Sequence, residues 1–285
     1  LQRMKQTNNA IKFLMAQYRA IFKNANIAML AAIAASALAA GQAQAAAHND
    51  WTTLTGDITI KNAGDTMAIT GLGNKENANP FTVNVQSGGA VTIKGSGAGA
   101  GNFVASKASF LLDAKAAGQS SATPANATLS IGGSTAASDV ANVTVGSVVN
   151  KVGTINITGS GASATSSLSA GTITLGAESA AENDAVVNVS GHGILNATGT
   201  GSGEGLLIGK GAKITVSQNG KINATTITMT SGSLSNSGSV TAGTLNLSGG
   251  TLAAAEAVTA SDALNITGGK VAATKAVSGK TIKVT

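Results

Sequence analysis

The feature that most constrains this chain is a short phrase that keeps returning. It reads apolar-x-apolar, then a polar turn with Gly, then a second apolar-centred run. VNVSGHGILNA (187–197), ITVSQNGKINA (214–224), ITMTSGSLSNS (227–237), LNLSGGTLAAA (245–255) and LNITGGKVAAT (264–274) all obey it. Alternation at period two is the signature of a strand with one buried face. Earlier examples are Ile58-Thr59-Ile60, Val83-Asn84-Val85, Val91-Thr92-Ile93, Val143-Thr144-Val145, Ile155-Asn156-Ile157 and Ile173-Thr174-Leu175. One such strand buries too few side chains to offset its ordering entropy. Stacked copies solve both problems, because each inward Val or Ile sits over another and every backbone group pairs with the coil above or below.

The five units start 27, 13, 18 and 19 residues apart. An irregular period near 20 marks a solenoid rather than a globular domain. The expectation is an all-β fold, a right-handed parallel β-helix following an N-terminal helical signal peptide. At about 20 residues per coil and ~4.8 Å per coil, residues 51–285 predict a dozen coils and a rod of roughly 60 Å. Gly is expected at corners that need positive φ, and Asn or Thr at equivalent positions to form ladders along the stack. Composition agrees: hydrophobic residues are 43% but aromatics only 2%. A core of Val, Ile and Leu without large rings suits thin layers.

The first fifty residues read as an address. Arg3, Lys5, Lys12, Arg19 and Lys23 carry charge without any acid, and residues 27–40 (IAMLAAIAASALAA) are a small-apolar run. Ala43-Gln44-Ala45 and Ala45-Ala46-Ala47 then fit the small-x-small cleavage rule. Residues 1–47 are therefore assigned as a signal peptide with an extended basic n-region, and 48–285 as the repeat domain. A transmembrane helix is the competing reading, disfavoured because the run is shorter than the ~20 residues a span needs. Leu1-Gln2-Arg3 precede the first Met, Met4, and read as upstream translation. The leader also accounts for five of the +6 net charge; beyond it 13 Lys face 12 acids and no Arg remains. The repeat domain thus lacks the dense basic patch that nucleic acid requires.

A long leader, no Cys and Gly/Asn/Thr/Ser-rich repeats together resemble autotransporter passengers and filamentous-haemagglutinin-like adhesins. The resemblance implies an exported, non-enzymatic surface protein of a Gram-negative cell, acting in adhesion or cell-surface interaction. It implies as partners the inner-membrane secretion machinery, an outer-membrane barrel in cis or in trans, and host or cell-surface receptors or self. The resemblance leads one to expect a C-terminal barrel, whereas Lys280-Thr281-Ile282-Lys283-Val284-Thr285 still read as part of a repeat: either the sequence is truncated before the barrel or export uses a separate partner. A self-assembling surface filament or layer subunit is the alternative function, and a β-helix polysaccharide lyase or hydrolase a third.

One segment breaks the pattern. Within 95–126, Asn102 reads as an N-cap and Gly118 as a stop. Phe103, Phe110, Leu111 and Ala114 would share a helix face, predicting a helical or loop insertion. A strand at Ser109–Leu112 inside an ordinary coil is the competing reading.

No catalytic, cofactor-binding or metal-binding residue is assigned. His48 and His192 are the only His and there is no Cys, too little for a zinc site or a Cys–His nucleophile. His192, in the turn SGHG, reads as a corner residue, and no G-x-S-x-G accompanies it. Glu178, Glu182 and Asp184 form the tightest acidic group and read as a solvated loop. Gly132-Gly133, Gly249-Gly250 and Gly268-Gly269 lack the Asp of the calcium nonapeptide. The Gly-dense runs 95–101 and 199–205 read as corners, and Lys210 followed by Gly211 fails the phosphate-loop pattern. Asn-x-Ser/Thr occurs at Asn126, Asn142, Asn156, Asn188, Asn196, Asn223, Asn246 and Asn265, as an apolar-Asn-apolar-Thr strand dictates.

Overall fold

The computed structural model describes residues 56–60, 66–70, 77, 79–86, 88–95, 101–112, 127–133, 136–146, 153–176 and 184–285. All lie in one unit, Gln44–Thr285. The leader assignment and Ala114, Gly118, Glu178 and Glu182 lie outside the described residues.

Among the described residues there are strands and no α-helix. Sheet A stacks β2 (Thr66–Thr70), β4 (Ala90–Gly95), β6 (Ala127–Gly133), β8 (Gly153–Gly159), β10 (Ala185–Gly191), β13 (Ala212–Val216), β15 (Ser233–Asn236), β17 (Thr251–Ala254) and β19 (Lys270–Ala273). Sheet B begins with β1 (Ile58–Ile60), β3 (Thr82–Val85), β5 (Gly101–Leu112), β7 (Ala136–Val145) and β9 (Ser166–Leu175). It continues through β11 (Gly193–Ala197) with β12 (Gly205–Ile208), then β14 (Lys221–Met229), β16 (Ser239–Leu247), β18 (Val258–Ile266) and β20 (Val277–Val284). Apart from β11 and β12, successive strands in chain order go to opposite sheets, and every named pairing is parallel, as in Val187↔Ile214 and Leu245↔Leu264. This is the stacked parallel architecture that the repeats imply.

Each long strand of sheet B is two short runs meeting at a corner. Inward residues step by two, then three, then two: Leu168, Ala170, Ile173 and Leu175 in β9, and Val240, Ala242, Leu245 and Leu247 in β16. The step of three leaves two successive residues off the core, so the chain must turn there for both runs to keep facing inward. The single-tier strands β11 and β12 show the division openly. They pair with the first and second runs of β9 and β14. From β5 onward each tier therefore has three faces around a core only a few side chains wide, and rows such as Val187, Ile214, Leu234 and Leu252 stack aliphatic on aliphatic.

The tier length corrects the sequence estimate. Near the end one coil takes 18 or 19 residues, from Leu234 to Leu252 to Val271. Earlier coils are longer: Val91 to Leu129 is 38 residues and Ile155 to Val187 is 32. Among the described residues sheet B has ten tiers, against the dozen expected, a stack of about 43 Å at ~4.8 Å per tier. The five sequence units also mix two phases. Those starting at 187 and 214 begin on sheet A, whereas those at 227, 245 and 264 begin on the second run of sheet B. The odd interval of 13 is a partial coil.

The helix expected within 95–126 does not form at 101–112, where β5 pairs with β3 and β7. The competing strand reading is the correct one, and it extends further than Ser109–Leu112. Phe103 and Phe110 are fully buried with ring centroids 5.3 Å apart, and Phe81 meets Phe103 edge-on at 6.1 Å. Leu111 points the other way and is half-buried.

Glycine does occupy the corners. Gly88, Gly146, Gly176, Gly211, Gly232, Gly250 and Gly269 all have positive φ, and each precedes a sheet A strand. At Gly250 a Cβ would also stand 2.5 Å from the Ser231 carbonyl of the preceding tier. Only glycine meets both demands cheaply.

Candidate functional site

The outward faces carry polar ladders, as the repeated Asn and Thr imply. The Asn188 amide donates to Asn156 Oδ1 at 2.9 Å on sheet A, and Asn265 donates to Asn246 Oδ1 at 2.8 Å on sheet B. On the first run of sheet B, Asn196 donates to Ser169 Oγ and Asn223 to Asn196 Oδ1, both at 3.0 Å. Four of the Asn-x-Ser/Thr positions thus serve as ladder donors, which fits their origin in strand patterning.

Beside this last ladder, where sheet B turns its corner, a shallow trough runs along the stack. Asn196, Asn223 and Thr241 form one wall on successive tiers, and Thr198, Thr225 and Ser261 the other. Its floor is the small column Ala197, Ala224 and Ala242. The Ala197 and Ala242 side chains face the core and are buried, so the trough is shaped by the polar walls that stand out on either side of this column. Gly243 keeps it open, because a Cβ there would meet the Thr225 carbonyl at 2.6 Å and stand 3.3 Å from the Asp262 carboxylate. The Thr198 and Thr225 hydroxyls point at the Ala170 and Ala197 carbonyls, each at 3.4 Å.

The trough begins at the root of an extra loop. In β9 and β16 a single residue, Gly171 or Gly243, joins the two runs, whereas Thr198–Glu204 joins β11 to β12. Glu204 braces this loop by accepting the Gly201 N–H at 2.7 Å. The Gly-dense run 199–205 is therefore a corner, as its composition implies, but one lengthened by six residues.

Among the described residues, the singled-out His192, Asp184 and Lys210 occupy separate places. His192 is half-buried at the corner between β10 and β11, in a depression with Thr165, Asn219 and Lys221 and no acid among its lining residues. Asp184 corrects the solvated-loop reading, being 4% exposed at the entry to β10, where its carbonyl accepts the Gly153 N–H at 2.8 Å. Lys210 is exposed beside the corner glycine Gly211. Among the described residues no three His, Cys, Asp or Glu side chains group closely enough to hold a metal ion.

The trough was not singled out in the sequence. Asn196-Ala197-Thr198 and Asn223-Ala224-Thr225 repeat the same residues one coil apart, but Asn126-Ala127-Thr128 reads the same and its last two residues lie in β6 of sheet A, so the triplet alone does not mark the trough. Comparisons with protein-family models, curated proteins and solved structures returned no match.

Proposed function

We propose that this chain is a surface-exposed, non-enzymatic passenger of the autotransporter and filamentous-haemagglutinin type. It acts in adhesion or cell-surface interaction after export through the inner and outer membranes. The observation that carries the reading is the pairing of a parallel solenoid with long polar faces to a basic-apolar-small leader at 1–47. Such a stack supplies length, rigidity and a repeated polar surface, which is what a projecting binding module needs. The right-handed sense follows from the strong preference of parallel crossovers. No oxidising partner is needed during export, because there is no Cys to pair. The leader engages the inner-membrane secretion machinery, and a barrel supplied in cis or in trans carries the chain outward.

The test is expression of the full chain with a C-terminal tag in a Gram-negative host that also supplies a barrel partner. Terminal sequencing should find cleavage after Ala45 or Ala47, and protease added to intact cells should remove the tag. An uncleaved chain retained in the cytoplasm would overturn the export reading.

A further inference from the structure

We infer that the trough at the corner of sheet B binds a linear, uncharged, hydroxyl-rich polymer: a neutral glycan chain lying along the stack axis. The inference deepens the adhesion reading and rests on it for its biological sense, although the binding itself is measured separately.

Shape sets the first constraint. The trough crosses the tiers of β11, β14, β16 and β18, a run of about 14 Å at ~4.8 Å per tier. It is open to solvent along its length, so it suits an extended chain better than a compact small molecule. Hydrogen-bonding capacity sets the second. The Asn196 and Asn223 amides each spend one of their two N–H groups within the ladder and keep the other, while the Thr198 and Thr225 hydroxyls donate inward to backbone carbonyls and keep their oxygen lone pairs. The ladder also stops at Asn223, whose partner in the next tier is Thr241 rather than another amide. Asn223 Oδ1 is thereby left to accept from outside. A surface that offers oxygen acceptors together with spare amide N–H donors fits a ligand whose hydroxyls both donate and accept, as sugars do.

Charge sets the third constraint. No Lys, Arg, Asp or Glu lines the trough, and the Asp262 carboxylate stands beside Gly243 at its edge. That carboxylate adds acceptors and repels polyanions, so uronic-acid polymers are disfavoured. The Lys210 and Lys213 corner has the opposite sign but consists of exposed lysines alone. Polar side chains at both walls over an alanine floor are peculiar to the trough among these depressions.

The experiment titrates the purified full chain into fluorescently labelled cellohexaose, chitohexaose and hexagalacturonate. At least one neutral hexasaccharide should bind saturably and the galacturonate should not. Thr241→Arg, which drives a long cation into the trough from an exposed position, should weaken binding by roughly tenfold or more. Thr225→Val, which keeps the shape and removes one acceptor, should weaken it several-fold, while Lys213→Ala on sheet A should leave it unchanged. Failure of both neutral sugars to bind would overturn the inference, as would preference for the galacturonate, or full affinity retained in either Thr variant. Surface display is read independently by protease, so a displayed chain that binds no sugar sinks the trough alone. A sugar-binding chain that stays in the cytoplasm sinks the export reading alone.

Discussion

Two kinds of buried polar residue sit in this core with opposite consequences. Asn236 is fully buried in a row that otherwise carries aliphatic or Ala side chains, including Val216 and Ala254. Its amide donates to the Glu256 and Ala257 carbonyls, both at 3.1 Å, and its Oδ1 accepts the Gly238 N–H at 3.0 Å. It therefore clips the corner of one tier to the corner of the next. Asn236→Ala removes all three bonds and should cost about 1–3 kcal/mol, since buried partners are left unsatisfied. A lower urea midpoint in the variant is the measurement. Ser138 and Ser166 are equally buried, but neither Oγ has a partner. Ser138 stacks between Phe103 and Leu168, where a hydroxyl is desolvated for no return. Ser138→Ala should raise stability by about 1 kcal/mol in the same assay. Sequence alone cannot separate these cases. Asn236 and Asn246 both lie in short alternating strands, and only the register puts the first inside and the second outside.

At the scale of the element, what was legible was the strand, and what was not was the corner. A period-two scan finds Ile227-Thr228-Met229 and Leu245-Asn246-Leu247 easily. It loses phase where the inward step becomes three, so a two-run strand looks like one short strand followed by a loop. In β5 the slip is larger. Ala105 and Ala108 are buried with exposed Ser106 and Lys107 between them, and the pairing with β7 shifts between Ala105 and Ser109. Phe103, Phe110 and Leu111 then fall at intervals that also suit a helix, which is why that reading arose. The corner makes a sharp pair of deletions. Removing Gly199–Glu204 leaves Thr198 joined to Gly205, the same one-residue connection that Thr225 makes between Ala224 and Thr226 in the next tier. That variant should fold with a thermal midpoint within a few degrees of the parent. Deleting Thr228 alone shifts Met229 to the outward face of its run. Circular dichroism should show the first variant melting cooperatively and the second melting far earlier. Equal midpoints would refute the corner assignment.

At the scale of the whole stack, each tier packs only on the tiers beside it, so stability adds up along the stack. The row Ile155, Val187, Ile214, Leu234 and Leu252 runs through five successive tiers and is fully buried in all of them. Truncating one member of such a row loses packing to the tier on either side. Leu234→Ala should therefore cost about 2–5 kcal/mol, read as a lower urea midpoint. Ser235 is the next residue of the same strand and faces outward, exposed. Ser235→Ala should move the midpoint by no more than about 0.5 kcal/mol. Equal losses for the two variants would show that the stacked row is not what holds successive tiers together.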